Sequence, residues 1–234
     1  MKTVRTSIIA SILLVIISLA ACKKSSSPTV ASGTSKLSFQ LSATKSLAAT
    51  DSVPSITGLV WTAGTANIGK FRFEAKRNGV SIEIESHNLT NVDIFALTPL
   101  VTYVTLDTGI YKEIEITAFL VSTDTIPPLK LTGTFTNDST KVIPIEFDLT
   151  DNATVKVEAN NININGTTDY TALLDMQLNR VTKGLSVTDF NNATLTGGKI
   201  IISKTSNTSL YYKIKFNISG CGKSEFKQHH KDKD

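Results

Sequence analysis

The chain reads as an all-β protein, an antiparallel β-sandwich with at most one short helix. Three observations predict it. From Leu37 to Ser219, apolar and polar residues alternate at period two in one segment after another. Thr, Val and Ile dominate those segments, which suits half-buried pleated surfaces. Turn residues such as Asn-Gly, Pro-Pro, Asn-Asp and Gly-Gly separate them at short intervals. A length of 234 residues allows one large domain or two small ones. The break near Asn160 is the candidate boundary between two packed sub-domains. Hydrophobic residues make up 41% of the chain, which is too apolar for a disordered protein.

The elements follow in order. Leu37 to Ser42 alternates cleanly, and Leu59-Val60-Trp61 is a short apolar run. Phe71 to Lys76 and Val80 to Glu85 are two half-buried strands around Asn78-Gly79, the dipeptide that a type I′ hairpin prefers. Val92 to Phe95 is short, and Tyr111 to Val121 is long and stops before Pro127-Pro128. Leu129 to Phe135 precedes the turn at Asn137-Asp138-Ser139. Val142 to Leu149 contains Pro144 and so predicts an edge strand or a bulge. Ala153 to Val157 and Ile162 to Ile164 alternate again. Tyr170 to Leu178 fits a strand or the start of a short helix. Between Asn179 and Thr196 the alternation weakens, and Ser186 or Thr188 would cap one short helix ending at Asn191. Lys199 to Ile202 and Leu210 to Ile218 read as a hairpin across Asn207-Thr208. The polar segment 220–234 reads as a disordered tail.

The N-terminus predicts a compartment. Lys2 and Arg5 precede an apolar run from Ile8 to Leu19, and Leu19-Ala20-Ala21-Cys22 follows. The run is too short to span a bilayer permanently and reads as a signal peptide over residues 1–21. Leu-Ala-Ala-Cys resembles the bacterial lipobox, which implies lipidation at Cys22. Lys23, in place of an inner-membrane Asp signal, implies the outer membrane, with the membrane face left open. Residues 22–36 are small and polar and read as the lipidated Cys and a flexible tether. The domain is then 37–219. Without Lys2 and Arg5 the formal charge of +4 falls to +2. No basic patch with interleaved aromatics is evident, so nucleic acid is not an expected partner.

Leu106-Asp-Thr-Gly109-Ile-Tyr111 resembles the L-x-x-G-x-Y element of prealbumin-like and carboxypeptidase-regulatory-like sandwiches, which implies an Ig-like or prealbumin-like sandwich. There the Gly makes the turn and the Tyr opens a core-facing strand. With the lipobox and tether, the chain resembles β-sandwich lipoproteins of Gram-negative cell surfaces. Fimbrillin-type pilus subunits and their anchors share this general look. The resemblance implies a binding or structural role and supplies no catalytic residue.

The candidate sites are few. Trp61, Tyr211 and Tyr212 are the aromatics proposed for ligand contact, by stacking on sugar rings. Ser52, Thr125 and Ser139 sit in Asp-Ser/Thr-apolar triplets that look like O-glycosylation acceptors. Glu83, Glu85, Glu113 and Glu115 alternate with Ile and belong to solvated strand faces. His87 reads as a strand-end residue and His229-His230 as part of the tail. Asp148, Asp151 and Asn152 share a turn without the spacing of a calcium loop. Cys221 is the one thiol left beside Cys22, free or paired between molecules. No catalytic residue, metal or cofactor is expected. The functional expectation is a lipid-anchored, non-enzymatic protein for adhesion, glycan binding or surface assembly. Its partners would be the membrane through the anchor and a glycan or surface protein. The alternatives are a carboxylate-dependent hydrolase of surface glycans, which needs a cleft with two carboxyl groups, and a periplasmic carrier or accessory protein.

Overall fold

The computed structural model describes residues 33–44, 56–96 and 98–231, and within them all side chains except those of 86–88 and 98–102. The signal segment, Cys22, Ser52 and the side chain of His87 lie outside the described residues. Elements are numbered along the chain.

The fold is mostly β, in two sheets. The smaller sheet holds β1 (Thr34–Thr44), β4 (Thr98–Asp107), β10 (Thr168–Gln177) and β13 (Gly222–His230), in the order β13-β10-β1-β4. The larger sheet contains β2 (Leu59–Arg77), β3 (Val80–Asp93), β5 (Gly109–Leu120), β6 (Leu129–Thr136), β7 (Val142–Leu149) and β8 (Ala153–Ala159). The short strands β9 (Ile162–Ile164), β11 (Leu195–Thr196) and β12 (Lys199–Ile202) extend it. Pairing is not purely antiparallel as expected. β1 runs parallel to β10, and β12 runs parallel to β7. Both pairs join segments far apart in sequence, and such returns leave the strand direction free.

The larger sheet is built on long strands interrupted along one line. Asn67 of β2 donates its N–H to the Pro128 carbonyl and accepts from the Val121 N–H, both at 3.0 Å. In an extended strand these two groups point the same way, so β5 and β6 lie end to end along one edge of β2. Residues 121–128 are an excursion between them. β7 and β8 lie end to end in the same manner, beside β6 and β5, with Thr150–Asn152 at the break.

Each half of this sheet has a different cover. The half made of β2, β5 and β8 faces the smaller sheet. There Phe39 of β1 meets Phe71 and Phe73 of β2, with ring centroids 5.0 and 5.2 Å apart. The half made of β6, β7 and β12 is covered by α1 (Leu178–Val181), α2 (Val187–Asn191) and α3 (Thr208–Ile218). Phe190 of α2 lies 5.4 Å from Phe135, and Tyr211 of α3 lies 6.0 Å from Phe147.

Three helices therefore stand where at most one was expected. α2 matches its expected cap, because Ser186 and Asp189 form a reciprocal capping box. α3 replaces the second arm of the expected hairpin. It buries Leu210, Tyr211, Ile214 and Ile218, a helical spacing. Asn207 adopts a left-handed φ of 48° ahead of it, and its amide bonds Thr194 twice and Ile201 once. Residues 222–230 form β13, where a disordered tail was expected. β13 pairs with β10 from Met176↔Gly222 to Thr168↔His230, and its polarity is that of an edge strand. Thr34–Lys36, read as tether, already belong to β1. Strands from before and after residue 160 share the smaller sheet.

Other local readings hold. Asn78 and Gly79 take φ of 52° and 80°, the signs that a type I′ turn requires. Tyr111 is fully buried and donates its hydroxyl to the Asp107 carbonyl at 3.0 Å, closing the corner over Gly109. The Pro144 reading does not hold: β7 is neither an edge strand nor bulged, because it lies between β6 and β12 in unbroken register with β6, and Pro144 is accommodated one residue outside the β7–β12 pairing.

Phe39 ties the two sheets together. Phe39→Ala is expected to cost about 3–5 kcal/mol of stability, as a large buried ring becomes a cavity. Urea unfolding at an unchanged m-value measures it.

Candidate functional site

α3 leaves two aromatic rings in solvent. Phe216 is 83% exposed and Tyr212 is 50% exposed, the former being the most exposed large hydrophobic side chain among the described residues. They stand four residues apart, on one face of the helix. With Asn152, Ala153, Thr154, Lys215 and Ser219 they line a shallow cavity of about 410 Å³. Its wall is apolar and its rim carries amide, hydroxyl and ammonium groups.

Buried neighbours hold this surface in place. Tyr211, fully buried beneath, meets Tyr212 edge to face at 5.2 Å and 77°. The Tyr211 hydroxyl donates to Asp151 at 3.1 Å and lies 3.0 Å from the Thr150 hydroxyl. Asp151 also accepts from Lys204 at 2.8 Å and from Lys215 at 2.6 Å. Lys204 first, and then Lys215, hold the Asp151 carboxyl well below the ordinary aspartate range. Asn217 fastens the far end of α3 through bonds to the Val181 and Lys183 carbonyls.

A second feature lies near the other end of the larger sheet. Glu83, Glu74, Glu115 and Glu158 are cross-strand partners on β3, β2, β5 and β8 and form one row. With Glu113 they line a cleft of about 530 Å³. Neighbouring side chains in such rows stand about 5 Å apart. Basic residues interleave with them. Arg72 reaches Glu74 at 3.3 Å, Lys156 reaches Glu115 at 2.7 Å and Glu158 at 3.0 Å, and Lys76 pairs with Glu113. The Lys156 hydrogen bond lowers the Glu115 carboxyl below its usual value.

The residues nominated from sequence divide between core and surface. Trp61 is only 3% exposed and Tyr211 is fully buried, so neither offers a ring face to a ligand. Tyr212 does. Thr125 is exposed at the tip of the 121–128 excursion, and Ser139 is exposed in the β6–β7 turn. Cys221 is fully buried, which pushes its thiol up to about 12 and keeps it from pairing with another molecule. His229 and His230 lie in β13 opposite Asp169 and Thr168. Sequence reasoning missed Phe216. Read as strand, Ile214, Phe216 and Ile218 share a buried face. Read as helix, the buried set is 210, 211, 214 and 218, and Phe216 falls outside it beside Tyr212.

No family model matches the chain, and no curated protein or solved structure is significantly similar to it. Among the described residues, no group of three or more His, Cys, Asp or Glu is placed to hold a metal, and no helix is long and apolar enough to cross a membrane.

The Asp151 network makes stability depend on acid. The folded carboxyl titrates below its unfolded value, so its contribution is complete above about pH 4 and is lost as pH falls through the folded pKa. Asp151→Asn is expected to lower the Tm by a few degrees at neutral pH and to flatten the fall of Tm on acidification. Thermal melts from pH 7 to pH 2 measure both effects.

Proposed function

We propose that the chain is a lipid-anchored, non-enzymatic binding protein of the outer membrane, which presents the Tyr212–Phe216 surface to a glycan or a surface protein. The observation that carries this reading is where that surface stands. Thr34, where the chain from Cys22 enters β1, lies at one end of the smaller sheet, beside Gly166 and Lys231. β10 runs parallel to β1 and leads at its far end directly into α1, on which α3 packs. β1 is eleven residues long, about 33 Å, so Thr34 and the aromatic pair stand at opposite ends of it. A surface at that end is turned away from the side on which the chain from Cys22 arrives.

The lipid anchor itself rests on the Leu19-Ala20-Ala21-Cys22 pattern. In cells fed a labelled fatty acid, the wild-type chain is expected to take up label and Cys22→Ala to take up none. Protease added to intact cells is expected to remove the domain. Survival until the outer membrane is opened would turn the reading toward a periplasmic accessory role. A carrier role draws no support from the space between the sheets, which Phe39, Phe71 and Phe73 fill.

The glutamate cleft favours a second reading, a hydrolase using two carboxyl groups. It ranks below the first because a general acid must stay protonated at working pH. Glu115 is instead held ionised by Lys156. Wild type and Glu115→Gln are both expected to release no reducing ends from surface polysaccharides. Release by wild type that Glu115→Gln abolishes would put the hydrolase first.

A further inference from the structure

We infer that the ligand of the Tyr212–Phe216 surface is an acidic polysaccharide, one whose sugar rings carry carboxylate or sulfate groups. This rests on the binding role proposed above and adds the chemistry of the ligand.

Charge is divided unequally along the chain. Residues 56–177 hold fifteen Asp or Glu against eight Lys or Arg. Residues 178–223, which run from α1 through α3 to the start of β13, hold seven Lys or Arg against the single acid Asp189. The aromatic pair stands in the basic part. Lys213 and Lys215 lie on α3 itself, and Lys215 lines the cavity. Lys183 is fastened to the end of α3 through its backbone carbonyl. Ser219 links the cavity to a neighbouring depression lined by Lys223, Lys156 and Glu158, where Lys156 is already paired with Glu158 and Glu115. Asp151 and Asp189 offset some of these charges, through Lys204 and Lys215 and through Lys213. The region as a whole remains positive.

The chemistry of the cavity narrows the ligand class. Two exposed rings, one fixed edge-on by Tyr211, suit the flat faces of sugars. The Asn152, Thr154 and Ser219 groups at the rim suit hydroxyls. Lysines around them suit anionic substituents, by attraction that salt screens. A second copy of the chain would bring lysines against lysines, which disfavours self-association through this face. A membrane is disfavoured by the position of the surface, opposite the end where the chain from Cys22 enters the sheet.

The test compares one sugar backbone with and without its charge. Full-length chain in detergent micelles is titrated with polygalacturonate and with the same polymer fully methyl-esterified. Polygalacturonate is expected to bind, with affinity falling about tenfold between low and high salt. Phe216→Ala is expected to weaken binding about tenfold at every salt concentration. The double variant Lys183→Ala/Lys213→Ala is expected to weaken it mainly at low salt. All these side chains are exposed, and unchanged melting curves would establish that the variants fold. Equal affinity for the esterified polymer, with loss in Phe216→Ala, would overturn the acidic class and leave the binding surface standing. Binding of polygalacturonate that neither Phe216→Ala nor Tyr212→Ala weakens would overturn the surface itself. Failure to bind polygalacturonate, with or without binding to phosphatidylglycerol vesicles, would overturn the inference.

Discussion

The rest of the structure depends on the interruption of the larger sheet at Asn67. Three strand paths cross one line there, and each breaks or shifts register at it. Asn67 is buried, and its side-chain amide donates to the Val121 carbonyl at 2.7 Å, beside the two backbone bonds to Val121 and Pro128. A residue with an apolar side chain could make the backbone bonds but would leave that part-buried carbonyl without its side-chain donor. The break lets one long sheet carry two covers. An uninterrupted sheet of this length would present a single twisted face to a single partner layer.

The same line also positions the surface proposed to bind. Asp151 sits in the break between β7 and β8, and from there it gathers Tyr211, Lys204 and Lys215. Tyr211 in turn meets Tyr212. Order at the exposed Tyr212 ring thus derives from a carboxylate that the sheet break puts beneath α3. Exposed apolar side chains are common on folded proteins and usually ask for no explanation. An exposed ring such as Tyr212, braced from below by a buried ring that a charged group fixes in turn, is a different matter, since preorganisation reduces the entropy lost on binding.

What could be read from the sequence was local. The Asn78-Gly79 turn, the Leu106 to Tyr111 corner and the Ser186 cap each complete their chemistry within a few residues, and each forms as expected. α3 was misread because Ile214, Phe216 and Ile218 satisfy a two-residue period as well as Ile214 and Ile218 satisfy a helical one. Only the burial partners on β7 and β12 decide between them. β13 looked like a tail because an edge strand with one solvated face needs few apolar residues. Its partner β10 lies more than forty residues away in sequence. Asn67 finds Val121 across 54 positions and Asp151 finds Lys215 across 64, so neither role has a signature in its own neighbourhood. The alternation assigned each glutamate to a polar strand face, but the row across four strands depends on register.

Those registers explain why the two charged regions differ in kind. The glutamate row lies within a sheet, where cross-strand neighbours are fixed, and Arg72 and Lys156 each stand between two carboxylates. Its charge is largely answered internally, which accounts for Glu115 being held ionised. Most lysines around α3 lie on helices and turns, which offer fewer fixed neighbours. Lys204, Lys213 and Lys215 share two aspartates, Lys223 of β13 stands opposite Asp175 of β10, and Lys183 makes no ion pair among the described residues. Surface ion pairs contribute little to stability whether they form or not. These exposed lysines are therefore of more consequence for what approaches the helical end than for holding the fold together. An anionic ligand therefore meets α3 more readily than the larger glutamate cleft.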